Sequence, residues 1–239
     1  MAKRPIFVPS PNKPELVSEV YCQVRWNSGF APIQKKRNIV ALHAAAAELG
    51  FAPLLEVSTK SESPLGQYLS AFNLKVSTRK FGEIPMECAF QGSKVFAQGG
   101  PFTDLYAAKT ARDARADHRL HVSGHLVGFN FEGVSFPLEP KTAFYDWLYI
   151  NAIYPSWQQF SALKEYAGYT DIEFNPYRSV NCQARSCALF VALVTKSLLD
   201  EAMAGPRTFV ELLSNYSYRP HLVEPPGDQS HLSLNCDQM

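Results

Sequence analysis

The residues best suited to chemistry lie in the run Glu87-Cys-Ala-Phe-Gln-Gly-Ser-Lys94, just behind Pro85. Proline fits the first position of a helix and Gly99-Gly100-Pro101 would stop one, so the sequence predicts a helix from Pro85 to about Gln98. A helix turns by about 100° per residue, which brings Glu87, Gln91 and Lys94 within about 60° of one another. One face then carries an acid, an amide and a cation, a set that can hold, donate and accept protons. Phe90 flanks this face and can wall a site, while Phe96 points away into packing. The same spacing also fits a solvated charge stripe, and spacing alone does not choose between the two.

Other candidates are more scattered. Asn181 is a predicted N-cap for a long helix through Leu199, where free N–H groups would attract an anion and Arg178 or Arg185 would add charge. An ordinary capped helix with surface arginines fits the same residues. Asp171, in a predicted loop from Gly168 to Ser179, can position hydroxyls or water, or simply form a turn. Trp147 and Tyr145 can stack on a base, or belong to the core of an aromatic helix opened by Pro140. Lys60 and Ser61 sit in a polar loop, Ser58 to Gly66, of the kind that lines sites or stays mobile. Cys88 is a conceivable nucleophile, against the commoner role of a buried helical thiol.

The elements that must carry these residues follow from periodicity and breakers. A strand is predicted from Pro5 to Pro9, a helix from Pro14 to Tyr21, a helix from Lys36 to Leu49 closed by Gly50, and a strand from Phe51 to Val57. Helices are expected to start near Thr103 and Thr110, with a hairpin from Gly128 to Phe136 turning at Glu132-Gly133. Further helices are expected at Trp157 to Tyr166 and Phe209 to Leu213. No repeat or linker divides the chain. The expected architecture is mainly α within an α+β class: a helical core over 66–218, a mixed α/β N-terminal extension over 1–65 packed on it, short hairpin elements, and a loosely ordered tail over 219–239.

Composition removes several function classes. The formal charge of +1 provides no global field for nucleic acid, so any DNA contact must be local. The apolar run at the N-terminus is too short and too proline-rich for a signal peptide or a membrane span, and the expected location is the cytoplasm. Cys22, Cys88, Cys182, Cys187 and Cys236 make no CxxC pair and are odd in number, which suits reduced packing thiols. With neither a metal motif nor a Gly-rich nucleotide loop, no metal and no cofactor are expected.

Phe72-Asn73 followed by Pro85-Met-Glu-Cys-Ala-Phe-Gln-Gly-Ser-Lys-Val-Phe96 resembles the NADAR family, with its Asn-Phe turn and Glu-His-Tyr-Phe-Gln-Ala-Gln-Lys-Phe-like helix. Lys109-Thr-Ala-Arg-Asp-Ala-Arg is similar to the family's Thr-Pro-x-x-Ala-Lys helix, and Asp171 to Leu193 to its acidic loop and closing helix. The chain departs from the common form at Cys88-Ala89, in lacking a Trp-Gly pair near Asp171, and in lacking the Asn-x-Leu-Gly string. Glu56-Val-Ser-Thr-Lys-Ser61 resembles a region of the subgroup associated with DarT-type toxins, which attach ADP-ribose to guanine in DNA.

The resemblance implies an antitoxin hydrolase that cleaves the N-glycosidic bond, frees ADP-ribose and restores the base. Glu87 would be the catalytic carboxyl. Lys94 would orient it or act covalently through an imine with the opened sugar. Lys60, Ser61, Asn73, Phe90, Gln91, Trp147, Asp171, Arg178, Asn181 and Arg185 would bind substrate. The partners would be ADP-ribosylated guanine in DNA and a DNA ADP-ribosyltransferase toxin. Two other readings stay open: hydrolysis of a free phosphorylated riboflavin-pathway intermediate, and a non-catalytic ADP-ribose-binding module.

Overall fold

The computed structural model describes residues 1–29 and 31–216. Strand β1 (Ala2–Pro9) pairs antiparallel with β2 (Val17–Val24) along its whole length, from Ala2 opposite Val24 to Pro9 opposite Val17. The expected helix over Pro14 to Tyr21 is thus replaced by a strand. Its Val, Tyr and Cys residues suit a pleated surface, and a complete ladder to β1 outweighs a few apolar residues at helical spacing. Helix α1 (Pro32–Glu48) follows, and Gly50 takes a left-handed φ of 87° beyond it, as its assignment to the helix end required.

Next come β3 (Leu54–Glu56), α2 (Pro64–Tyr68), and the hairpin β4 (Lys75–Thr78) with β5 (Gly82–Pro85). Helix α3 (Met86–Gly92) leads into β6 (Lys94–Phe96), then a 3-10 helix (Thr103–Ala107), α4 (Ala111–Arg115) and α5 (Arg119–Val122). The Thr110 side chain caps α4 by accepting from the Asp113 N–H at 3.1 Å.

Strands β7 (Leu126–Phe131) and β8 (Val134–Phe136) form the expected hairpin, with Glu132 and Gly133 both at positive φ in the turn. Helix α6 (Ala143–Ile153) begins three residues beyond Pro140 and is followed by a kinked 3-10 helix (Tyr154–Glu165). Strand β9 (Gly168–Thr170) lies where a loop was expected, being too short to show alternation. Helices α7 (Gln183–Thr195), α8 (Leu199–Ala202) and α9 (Pro206–Asn215) complete the described chain, and the tail expected from Arg219 lies outside it.

The result is an α+β fold with a four-stranded sheet in the order β2-β1-β9-β3, and β9 runs parallel to β3 but antiparallel to β1. Because β9 sits between β1 and β3, residues before 65 and residues near 170 share one hydrogen-bonded sheet. Neighbouring residues of β1 face opposite sides. Ile6 joins Leu42 and Ile39 of α1 in one apolar cluster, whereas Phe7 joins the main core with the aromatic residues of α6 and the apolar residues of α7. Among the described residues, no helix is long and apolar enough to cross a membrane.

Candidate functional site

Helix α3 is shorter than its sequence suggests, ending at Gly92 and not near Gln98. The cause is local crowding and sheet pairing. A Cβ at Gly92 would stand 2.6 Å from the Tyr106 ring, and the Ser93 hydroxyl bonds both Ala89 O at 2.7 Å and the Tyr106 hydroxyl at 2.8 Å. Lys94 then enters β6 opposite Phe129 of β7. Glu87, Gln91 and Lys94 therefore do not share one helix face, but all three are buried: Glu87 is 7% exposed and Lys94 2%. Gln91 Nε2 donates to Glu87 Oε1 at 2.8 Å, and Arg115 Nε of α4 lies 3.9 Å from the same oxygen.

Lys94 opens onto a cavity of about 650 Å³, within the range of small-molecule sites. Its walls are aromatic: Phe90, Phe96, Phe129, Phe144 and Tyr145 all line it. Phe129 and Phe144 stack at 4.6 Å, Phe90 lies 5.5 Å from Phe129, and Tyr145 meets Phe90 edge-on at 5.3 Å. The Lys94 ammonium stands 5.2 Å from the Phe90 ring centre, a cation over an aromatic face. Polar groups on the wall are His121, His125, Glu139, Lys141, Thr142 and Asn181.

Tyr145 links this wall to the carboxylates. Burial raises its hydroxyl well above the ordinary phenol range, and the charges of Glu87, Asp171 and Asp146 act on it in the same direction. Glu87 and Asp171, 84 positions apart in sequence, thus bear on the hydroxyl of one residue of the cavity wall. Asp146 itself is held by Thr142 Oγ1 at 2.7 Å and Ser186 Oγ at 2.5 Å.

Asp171 is buried directly after β9. Burial pushes its carboxyl up to about 7, opposed by donors from the Glu173 N–H and the Gln183 side chain. Gln183 in turn accepts from Ala71 N at 2.7 Å and Ser70 Oγ at 3.2 Å, tying the start of α7 to the turn after α2. Beside Asp171 lies Glu56, fully buried at the end of β3, whose carboxyl is raised to about 8 by burial and then by Asp171. Two carboxyls in such a position do not both ionise readily.

The remaining sequence candidates separate into groups. Asn181 lines the cavity but does not cap α7: the N-cap is Cys182, and it makes no side-chain cap bond. Arg185 is 3% exposed and turned away from the cavity, with its Nε 3.2 Å from Glu19 Oε1 of β2 and its Nη1 4.0 Å from Asp146 Oδ2. Arg178 is exposed on the preceding turn. Trp147 faces a different depression of about 410 Å³ lined by Thr78, Arg79, Glu132 and Pro206, and packs on Phe131 and Phe136.

Lys60 and Ser61 belong to an ordered turn in which Ser58 Oγ accepts from Lys60 N at 3.1 Å and Ser61 Oγ from Ser63 N at 3.2 Å. Asn73 is exposed and spends its amide on Gln67 O at 2.7 Å. None of Lys60, Ser61, Asn73, Glu87, Gln91, Trp147, Asp171, Arg178 or Arg185 is among the residues lining the main cavity, whereas Phe90, Lys94, Tyr145 and Asn181 are. Cys88 is fully buried with its thiol raised to about 11, chiefly by burial, so it is a packing residue. Cys22, Cys182 and Cys187 are likewise free and buried, and Cys236 lies outside the described residues.

Sequence reasoning passed over His121, His125, Lys141 and Phe129. The histidines belong to short helical and loop segments without periodicity, and Phe129 was read only as part of a hairpin. The one available signal was composition, two histidines four residues apart beside an aromatic hairpin. Among the described residues, no group of three or more His, Cys, Asp or Glu side chains is arranged to hold a metal ion.

A search of curated proteins returned no match. A family model described as DarT1-associated NADAR antitoxin matches residues 2–221, nearly the whole chain, and the chain belongs to that family.

Proposed function

We propose that the chain is an N-glycosidase that removes ADP-ribose from guanine in DNA, and that this reaction is how it serves its family's DarT-associated antitoxin role. The observation that carries the reading is the cavity of about 650 Å³ in which a buried lysine and an aromatic cage converge, with the buried carboxyls of Glu87 and Asp171 behind Tyr145 of its wall. Phe90, Phe129, Phe144 and Tyr145 provide flat apolar surface for a base or sugar face. Lys94 with His121, His125 and Lys141 supplies cationic or hydrogen-bonding groups for the pyrophosphate oxygens.

In this reading the bond between the ribose anomeric carbon and the guanine nitrogen breaks through an oxocarbenium-like sugar. The bonding pair leaves with the base, which takes a proton. Water adds to the anomeric carbon and gives up a proton to a carboxylate. Glu87, oriented by Gln91, is the acid/base group, and Asp171 positions the water or the ribose hydroxyls. Lys94 either stabilises the departing charge or forms an imine with the opened ribose. Asn181 contacts substrate from the cavity wall.

The test is a guanine-ADP-ribosylated oligonucleotide incubated with the protein and followed by mass spectrometry. Release of many equivalents of ADP-ribose with recovery of unmodified oligonucleotide is expected. Modified oligonucleotide that survives intact in the presence of folded protein would overturn the reading.

A further inference from the structure

The run Glu56-Val-Ser-Thr-Lys-Ser61 plays no part in the reaction proposed above, and none of its residues is among those lining the cavity. Its first residue nevertheless holds both neighbours of Asp171. Glu56 Oε2 is bonded by Thr170 Oγ1 at 2.7 Å, and Glu56 Oε1 by the backbone N–H of Ile172 at 2.8 Å. A single carboxyl thus clasps the residues immediately before and after Asp171. Ser58 Oγ donates to Glu56 Oε1 at 2.6 Å and fixes the clasp from its own segment. Close approach at this point also depends on Gly66, where an added Cβ would stand 2.0 Å from Glu56 O.

We propose that Glu56 is a positioning residue of the site, whose carboxyl sets the place of Asp171 by clasping the residues on either side of it. The proposal rests on the assignment of Asp171 to the reaction, but the hold of Glu56 on the Asp171 turn can be read without turnover. A carboxyl buried on a parallel β-ladder is costly unless its oxygens are satisfied, and here three hydrogen bonds to the two oxygens come from the Asp171 turn and from Ser58.

The groups facing the pair come from several elements. From α1, His43 Nε2 lies 2.9 Å from Thr170 Oγ1, and burial holds its imidazole down at about 4, so it is neutral. From β1, the Arg4 guanidinium acts on Asp171 while donating to Phe174 O at 2.7 Å. Glu173, paired with Lys35 at 3.7 Å, opposes ionisation of Asp171. Gln183 and Cys182 meet Asp171 from the start of α7, and Tyr145 from α6. Of these, Glu56 alone bonds both flanking residues.

Glu56→Leu removes the clasp, and Glu56→Gln keeps it. The amide keeps an oxygen for Ile172 N and Ser58 Oγ and offers an N–H to Thr170 Oγ1, which can pass a hydrogen bond on to neutral His43. The Asp171 side-chain carboxyl is labelled with 13C and titrated by NMR in the full chain, parent against both variants. Loss of the clasp in Glu56→Leu is expected to draw Asp171 away from the Glu173 N–H and Gln183 donors and raise its titration midpoint, whereas Glu56→Gln stays near the parent. The pH profile of kcat on ADP-ribosylated oligonucleotide should shift the same way, with KM within a few-fold of the parent.

A purely structural role for Glu56 would leave the Asp171 midpoint in place in both variants, and a midpoint unchanged in Glu56→Leu overturns the proposal whatever the turnover. Absence of turnover in the parent overturns the reaction assigned above, while the NMR midpoint still upholds or overturns the positioning. If Glu56→Leu does not fold, Asp171→Asn with the Glu56 carboxyl labelled reads the contact from the other side, and a Glu56 midpoint unmoved from the parent overturns it.

Discussion

Replacing Glu87 with Gln separates chemistry from folding, because the two effects differ in size. The substitution keeps the volume and one oxygen acceptor for Gln91 Nε2, 2.8 Å away, and removes the charge and the titrating group. A hydrogen bond to a charged acceptor contributes roughly 1.5–3 kcal/mol and a neutral one roughly 0.5–1.5, so the bond weakens by about 1–1.5 kcal/mol. The Arg115 contact at 3.9 Å, on a side chain 26% exposed, adds at most about 1 kcal/mol. At roughly 2–4 °C per kcal/mol for a domain of this size, Tm should fall by about 2–10 °C. Loss of a general acid/base group costs roughly 10²–10⁴ in rate, equivalent to about 2.7–5.4 kcal/mol of transition-state stabilisation. Single-turnover release of ADP-ribose from a guanine-modified oligonucleotide, measured well below the Tm of the variant, compares the two proteins. ADP-ribose binding should survive within a few-fold. A variant that turns over within about five-fold of the parent would remove Glu87 from the reaction and leave its burial a matter of packing alone.

Four other perturbations test separate parts of the structure. Lys94→Met, which fits the same aromatic cage, should retain the fold and lower turnover by roughly 10²-fold or more; parent-like kinetics would refute a chemical role. Arg185→Met leaves Glu19 and Asp146 without their buried cation and should destabilise the chain by about 3–5 kcal/mol, whereas calorimetry that finds an unchanged Tm with weakened ADP-ribose binding would return Arg185 to an anion site. Gly66→Ala drives a Cβ against the backbone oxygen of Glu56 and should cost about 1–3 kcal/mol in a urea titration, with a neutral result ruling out the close approach. Glu56 and Asp171 hold protons in the folded chain at pH values where the unfolded chain has already lost them. Their contribution is therefore most favourable below the ordinary carboxylate range and declines as pH rises toward about 8. Thermal melts from pH 5 to 8 should show a fall in Tm that is shallower in Glu56→Gln, and identical slopes would contradict it.

The sequence by itself determined the elements whose signals are local. The strand before Pro9, helix α1 with Gly50 beyond it, the helix start near Thr110, the Glu132-Gly133 turn and the aromatic helix around Trp147 all follow from periodicity and backbone preferences within about ten residues. The ordered likeness of Glu87, Phe90, Gln91 and Lys94 to a family pattern was legible as well, and the family assignment agrees with it. Only the tertiary structure decided what depends on distant partners. Strand β2 exists because β1 offers a full ladder, β9 because a gap between β1 and β3 needs three residues, and β6 because β7 captures Lys94 and Val95 once α3 stops at Gly92. The same long-range packing turns Arg185 toward Glu19, sends Trp147 to a different depression, brings Asp171 under Glu56, and lines the cavity with His121, His125 and Lys141. Local sequence records a residue's conformational preference, but burial and charge environment arise from which chain segments meet, and that is set only when the sheet and its two apolar faces assemble.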